Sequence, residues 1–399
     1  MRYVALQTLV SVLLISQVIA LGLGGEGFTG CPPQNGDTLY VGGYGEGNYS
    51  TIGAAIENAS NGDIIFIYPG TYRENVVVDR SVSVIGYDAQ NVVVDGSGHG
   101  KVFEVVAGNV RICNLTIRYA GNEGDNNDAE IYINSDNNII ENNLIAHSFG
   151  DSNTACIYLD TCSGNIIRNN SIKGNYFGID VYQSSQNTIY GNHISQQVGF
   201  GGGIHISARS TSNEINNNVM EGKGNTKDVV GIGIFGDKNS VANNEIHGYS
   251  RGIDAWLAGS ENNISGNNIY NNGYGIYMGY DFASNRIAGN RIHNNDVGLF
   301  LTDGCRGNII EKNNVTFNRL GINTKDAAGN TIRRNNIMWN LNNAYVFYYI
   351  RDFPGNRWIN NYWGRPHMLP KMIPCIIGLR HGIILGFEID WRPALLPNI

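Results

Sequence analysis

Asn262-Asn263-Ile264-Ser265-Gly266-Asn267-Asn268-Ile269 is followed 23 residues later by Asn285-Arg286-Ile287-Ala288-Gly289-Asn290-Arg291-Ile292. Both have the form Asn-x-Ile-x-x-Asn-x-Ile. Looser copies of the phrase begin at Asn138, Asn165, Asn187, Asn213, Asn239, Asn308, Asn330 and Asn356. Successive starts lie 27, 22, 26, 26, 23, 23, 23, 22 and 26 residues apart. A divergent copy, VRICNLTI, starts at Val110 and puts Leu115 in the second Asn slot. Each period also holds a phrase Gly-Ile-x-apolar-x, as in Gly178-Ile179-Asp180-Val181-Tyr182 and Gly252-Ile253-Asp254-Ala255-Trp256. Both phrases alternate with period two, as half-buried strands do. Two or three short strands per 22–27 residues, with Gly and Asn at the corners, describe one coil of a parallel β-helix. Asn tolerates the left-handed backbone that tight corners require. Identical Asn side chains stacked about 4.8 Å apart can hydrogen-bond along the axis, so the asparagines are read as structural.

Composition points the same way. The 399-residue chain has 52 Gly and 56 Asn but only 15% charged residues, where soluble domains carry roughly a quarter. That excludes a coiled coil or helical array, and 42% apolar content excludes a disordered chain. The formal charge of −7 comes without a basic stripe, which argues against nucleic acid as a partner.

The ends read differently from the middle. Residues 1–20 have the form of a secretory signal: Arg2, an apolar stretch over 4–20, and small residues Val18 and Ala20 before a cleavage point. An uncleaved N-terminal anchor is the alternative. Either way the chain is expected to be secreted, periplasmic or on the cell surface. Residues 21–63 are expected to hold a capping helix, with Ile52, Ala55 and Ile56 on one face and Ser50 as N-cap. The β-helix then runs over 64–363. Five of the nine prolines fall at 366, 370, 374, 393 and 397, marking 364–399 as a non-repeating C-terminal cap. Of the six cysteines, Cys162 and Cys305 lie too many coils apart to bond, and Cys156 with Cys162 permits a bridge only across a turn. Isolated buried thiols are the other reading, and the connectivity stays open.

If Ile179, Ile204 and Ile253 point inward, the alternating residues form two outward columns. One runs Tyr132, Tyr158, Asp180, His205, Gly233, Asp254, Tyr277, Phe300, Asn323. The other runs Asn134, Asp160, Tyr182, Ser207, Phe235, Trp256, Gly279, Thr302, Lys325. Flat rings beside carboxylates suit sugar recognition. Tyr158, Tyr182, Phe235, Asp254, Trp256, Tyr277 and Phe300 are therefore the candidate binding residues for an extended polysaccharide or cell-envelope glycan. Aromatic stacking that merely stiffens the sheet accounts for the same pattern. Asp160 and Asp180, on adjacent coils and adjacent columns, are expected roughly 8 Å apart, within the range of an inverting glycosidase pair. His205, one coil further, is placed to share a proton with Asp180. Solvated acids on an acidic surface explain the pair without catalysis. Insertions at 151–155, 196–202 and 221–230 would wall a cleft here.

The segments GDIIFIYPGTYRENVVV (62–78) and VSVIGYDAQNVVVDG (82–96), the Asn repeats, and the ending NRWINNYWGRP (356–366) resemble the right-handed parallel β-helix families. These include pectin-lyase-like proteins, the carbohydrate-binding and sugar-hydrolase β-helices, and especially NosD-like periplasmic proteins. The resemblance implies an all-β, single-stranded, right-handed parallel β-helix. It does not imply a chemistry, and no cofactor is assigned from the residues. A NosD-like identity would imply accessory work in maturing a copper enzyme, with membrane transporter components as partners. Copper needs soft ligands, and only His367, Met368, Met372 and Cys375 gather them. Packing of an apolar tail explains these four as well. A non-catalytic surface solenoid is the third reading.

Overall fold

The two Ile of each Asn-x-Ile phrase face inward, and that makes the coil. In the computed structural model the strand Asn263–Ser265 pairs in parallel with Arg286–Ala288 one coil on, Ile264 opposite Ile287. Asn268–Tyr270 pairs likewise with Arg291–His293, Ile269 opposite Ile292. The Gly-Ile phrase forms a third strand, so that Arg251–Ala255 lies beside Tyr274–Met278 with Ile253 opposite Ile276. All six of these isoleucines are fully buried, each stabilising the fold by roughly 1.5–3 kcal/mol. The core is thus a set of stacked aliphatic columns inside a parallel β-solenoid of about 13 turns. Among the described residues the strands form a 12-stranded sheet and a 28-stranded one that includes the C-terminal strands.

The structure describes residues 36–398 apart from 122–127, 147–154, 175, 196–200, 225–227, 258, 350–354 and 380–381. The signal-like stretch over 1–20 therefore lies outside the described residues, as do 151–154, 196–200 and 225–227 of the three insertions. The described residues belong to one compact unit, Pro33–Ile399.

Asparagine side chains tie coil to coil. Asn262 donates from both its backbone N–H and its Nδ2 to Oδ1 of Asn285 (2.8 and 3.0 Å), and Asn285 does the same to Asn308. This ladder runs from Asn138 to Asn356. A second runs from Asn143 through Asn244, Asn267 and Asn290 to Asn361. A third, over Asn272, Asn295, Asn318 and Asn340, occupies the later coils. The remaining Nδ2 hydrogen goes to a strand carbonyl, as from Asn267 to Val241. Every link donates toward the C-terminal end, so the last asparagine of each long ladder presents unspent donors. Carboxylates accept them: Glu388 from the Asn356 N–H, and Asp390 from both donors of Asn361.

The helix expected near the N-terminus is Ile52–Asn58, with Ile52, Ala55 and Ile56 buried. Its cap is Thr51 rather than Ser50. Thr51 is extended (φ −132°, ψ 152°) and its hydroxyl accepts from the Ala54 N–H, while the Glu74 carboxylate takes the N–H groups of Ile52 and Gly53. An acid at the positive end of a helix complements its dipole. The C-terminal cap is an antiparallel pair of strands, Lys371–Leu379 and Gly382–Asp390, and the first pairs in parallel with Asn342–Tyr348 of the last full coil. Cys156, Cys162, Cys305 and Cys375 are buried free thiols, so no bridge joins Cys156 to Cys162. Cys113 is disulfide-bonded.

The corner between the two Asn-x-Ile strands is left-handed in each coil. Asn217, Asn243, Gly266 and Gly289 fill it in the middle coils, but Lys312 (φ 55°) and Arg334 (φ 54°) occupy it later. Asn267→Ala strands both donors of Asn244 and should lower the free energy of unfolding by about 3 kcal/mol or more, read from urea denaturation. Lys312→Asn relieves an exposed left-handed lysine and should raise it by up to about 1 kcal/mol, read in the same titration.

Candidate functional site

The register of the third-strand face decides which side chains meet. Tyr132, Tyr158, Asp180, His205, Gly233, Asp254, Tyr277, Phe300 and Asn323 stand opposite one another, coil after coil. Asp160 pairs with Tyr182 in the neighbouring column, which also carries Phe235 and Trp256. The first expected column is therefore the observed one, and the second is in register at Asp160–Tyr182 and Thr302–Lys325.

Strict alternation misses a third outward line. Phe177 has the parity of the inward Ile179, yet it faces out, because the glycine between them faces the core as well. A Cβ on Gly178, Gly203, Gly231, Gly252, Gly275, Gly298 or Gly321 would lie 2.4–2.7 Å from a carbonyl oxygen of the next coil. Only glycine permits that approach, and the shifted parity turns the preceding residue outward. The line so made runs Ala155, Phe177, Gly202, Val230, Arg251, Tyr274. The repeated Gly before each Ile was its signal in the sequence.

Within this surface the side chains make two clusters. In the first, the rings of Tyr132, Tyr158 and Tyr182 stack with centroids 5.8 and 6.1 Å apart. The Tyr132 hydroxyl donates to Asp160 Oδ2 (2.6 Å) and the Thr161 hydroxyl to Oδ1 (2.8 Å). Asp180 is bound to His205, Nδ1 to Oδ1 at 2.7 Å. The imidazole lies between the rings of Phe177 and Phe235, 4.9 and 5.1 Å away. The structure thus couples Asp180 to His205, whereas Asp160 belongs to Tyr132. Each carboxylate has its own partner, and Tyr158 stands beside both. Burial, then the charges of Asp180 and Asp160, push the Tyr158 phenol well above its ordinary range. Burial and the bond to Asp160 push Tyr132 up to about 12. At neutral pH both phenols therefore keep their protons and remain hydrogen-bond donors. Lys101 sits 3.8 Å from the centre of the Tyr132 ring and 2.7 Å from Glu104, closing the cluster with a cation.

The second cluster lies toward the C-terminal side. Arg251 donates to Asp254 Oδ2 (2.7 Å) and spreads over the Tyr277 ring at 4.3 Å. Tyr274, Tyr277 and Phe300 pack together, and Trp256 meets Tyr280 edge-on at 4.7 Å. Burial raises the Asp254 carboxyl despite the opposing charge of Arg251.

Chemically, a carboxylate accepting from His205 Nδ1 fixes the ring and leaves Nε2 as its second nitrogen, the arrangement of an oriented general base. Stacked phenols beside it offer flat apolar faces with hydroxyl edges.

A copper centre needs converging soft donors, and the candidates do not converge. Met372 and Cys375, three apart on one strand, point to opposite faces. Cys375 is 4% exposed, Met372 50% and Met368 94%. The rings of His247 and His293 are separated by Tyr270, which stacks on both at 4.8 and 5.2 Å. Among the described residues no group of three or more His, Cys, Asp or Glu could hold a metal ion.

Residues 34–235 match the profile of the family described as periplasmic copper-binding protein (NosD), and residues 230–362 that of the right handed beta helix region. No curated protein is similar to the chain in sequence. Solved structures share the fold. An alginate lyase in complex with G6 is 15% identical (TM-score 0.60, 89% of this chain and 91% of that one covered). The Dettilon tailspike protein is 15% identical (TM-score 0.59, 85% and 73% covered). A DFA-IIIase from Arthrobacter chlorophenolicus in complex with DFA-III is 14% identical (TM-score 0.56, 75% and 94% covered). The first of the two profiles spans half of the chain, which therefore belongs to the NosD family and has a right-handed parallel β-helix fold.

The Tyr132–Asp160 bond gives a direct test of this geometry. Asp160→Asn should lower the Tyr132 titration from about 12 toward, but not to, the ordinary tyrosine value, because burial persists. Carbon-13 NMR of labelled tyrosine Cζ during an alkaline titration reads it.

Proposed function

We propose that this NosD-family solenoid is exported and binds an extended polysaccharide along the outward face of its third strands. The stacked run Tyr132–Tyr158–Tyr182, with Asp160, Asp180 and His205 at its side, is the observation that carries the reading. Aromatic rings cover the apolar faces of sugar rings, and fixed carboxylates and phenols bond their hydroxyls. Phe235, Asp254, Trp256, Tyr277 and Phe300 continue the face, so successive sugars of one chain would meet successive coils. The fold is shared with an alginate lyase bound to G6 and a DFA-IIIase bound to DFA-III, which supports a saccharide as the ligand class but lends no residue role at such low identity.

Bond cleavage, where it accompanies binding, falls to Asp180 and His205. Asp180 orients the imidazole through Nδ1, and His205 takes or returns the proton at Nε2. Asp160, held by Tyr132 and Thr161, is the second carboxylate of the site. No step is routed through copper, since the soft donors do not converge, and work with transporter components would need a surface other than this face.

Affinity electrophoresis of the chain in gels containing neutral or acidic polysaccharides, with parallel assay of new sugar ends, tests the reading. Tyr182→Ala and Trp256→Ala should each weaken retention by about tenfold, the loss of an aromatic contact of roughly 1.4 kcal/mol, with the thermal transition kept. Retention unchanged in both would sink the proposal. Any cleavage should vanish in Asp180→Asn and in His205→Ala. Cleavage that survives both places the chemistry elsewhere.

A further inference from the structure

We infer that the C-terminal hairpin seats this end of the solenoid on an anionic lipid surface. The strands Lys371–Leu379 and Gly382–Asp390 pair antiparallel, so alternate residues share a face. Ile373, Cys375 and Asp390 are buried and Glu388 turns inward to Tyr348 and Trp358. The opposite face carries Met372, Pro374, Ile376, Ile383, Leu385, Phe387 and Ile389, without one polar side chain. Ile383 is 70% exposed, Leu385 75% and Phe387 57%, and Trp391 just beyond is 69% exposed. The terminal element of a solenoid needs a polar outer side to stay soluble, and a contiguous apolar patch marks a surface that is covered in use.

Charge identifies what covers it. Residues 364–399 hold four basic residues (Arg365, Lys371, Arg380, Arg392) and two acidic ones (Glu388, Asp390). The remaining 363 residues hold 23 basic and 32 acidic. Both acids of the cap are spent on the asparagine ladders, so among its described residues the charged side chains left to the outer surface are basic. Arg365 and Arg392 are exposed, and Lys371 reaches toward the Trp363 ring, 5.9 Å away. An apolar face with a basic rim and a tryptophan beside it matches anionic headgroups above acyl chains. A second copy fits less well, because two such caps face to face would oppose like charges.

The full chain is sedimented with vesicles of phosphatidylcholine, alone or with about one third phosphatidylglycerol. Binding should be at least about tenfold stronger to the anionic vesicles, with a blue shift of tryptophan emission. Leu385→Glu should reduce it at least about tenfold, and Lys371→Gln with Arg392→Gln should erase the preference for anionic lipid. The apolar stretch over 1–20 is present in every variant, so the differences report the hairpin. If Leu385→Glu does not fold, Ile383→Ser at the far end of the hairpin gives the same readout. Equal binding by wild type and variants overturns the inference. So does a dimer in analytical ultracentrifugation that Leu385→Glu dissociates while the chain ignores vesicles, an outcome that assigns the face to a second copy.

Discussion

A side-chain amide that donates to the same amide one coil later is the interaction on which the rest depends. Parallel strands alone would hold coils together through backbone bonds, but a one-residue slip would turn every side chain to the wrong face. The asparagine ladders forbid the slip. Each Asn contributes its N–H, its Nδ2 and its Oδ1 inside a buried corner, where an unmatched partner would leave buried polar groups unsatisfied. Two such rails, from Asn138 to Asn356 and from Asn143 to Asn361, therefore lock coils of 22 to 27 residues into one register although their loops differ in length.

Fixed register is what makes a functional face. Tyr158, Asp180, His205 and Asp254 come from four separate coils, yet they stand in a line because the rails keep every third strand in phase. The glycine column adds the third line by letting carbonyls press against bare Cα atoms. Phe177 and Arg251 thereby join the surface and complete the cradles around His205 and Asp254. The face is a consequence of the backbone's own repeat, and its aromatic and acidic side chains are the variable decoration upon it.

The ladders also explain the C-terminal end. Donors all run one way, so the stack has a positive end, and Glu388 and Asp390 stand where the next asparagines would be. The hairpin that supplies these acids turns its polar side inward to do so. Its outer face is left to apolar residues, which is the same fact seen from the other side.

The period of 22 to 27 residues, the buried isoleucines, the structural asparagines and the two alternating columns were legible in the sequence, because a repeat multiplies a weak local pattern until it is unambiguous. So were the positions of Tyr158, Asp160, Asp180, Tyr182 and His205 on that face, since period two needs no knowledge of the neighbours. The acid that completes the helix cap, the carbonyl that turns Phe177 outward, and the separate pairing of Asp160 with Tyr132 and Asp180 with His205 were decided by tertiary structure alone. Each depends on a group from another coil: the Glu74 carboxylate, a carbonyl above a glycine, a hydroxyl 28 residues away. The carboxylate caps belong to the same class, for Glu388 lies 32 residues from Asn356 and shares no repeat with it. Alternation is a property of the strand and is written in the chain, whereas partnership is set by stacking and becomes visible only once the coils are in place.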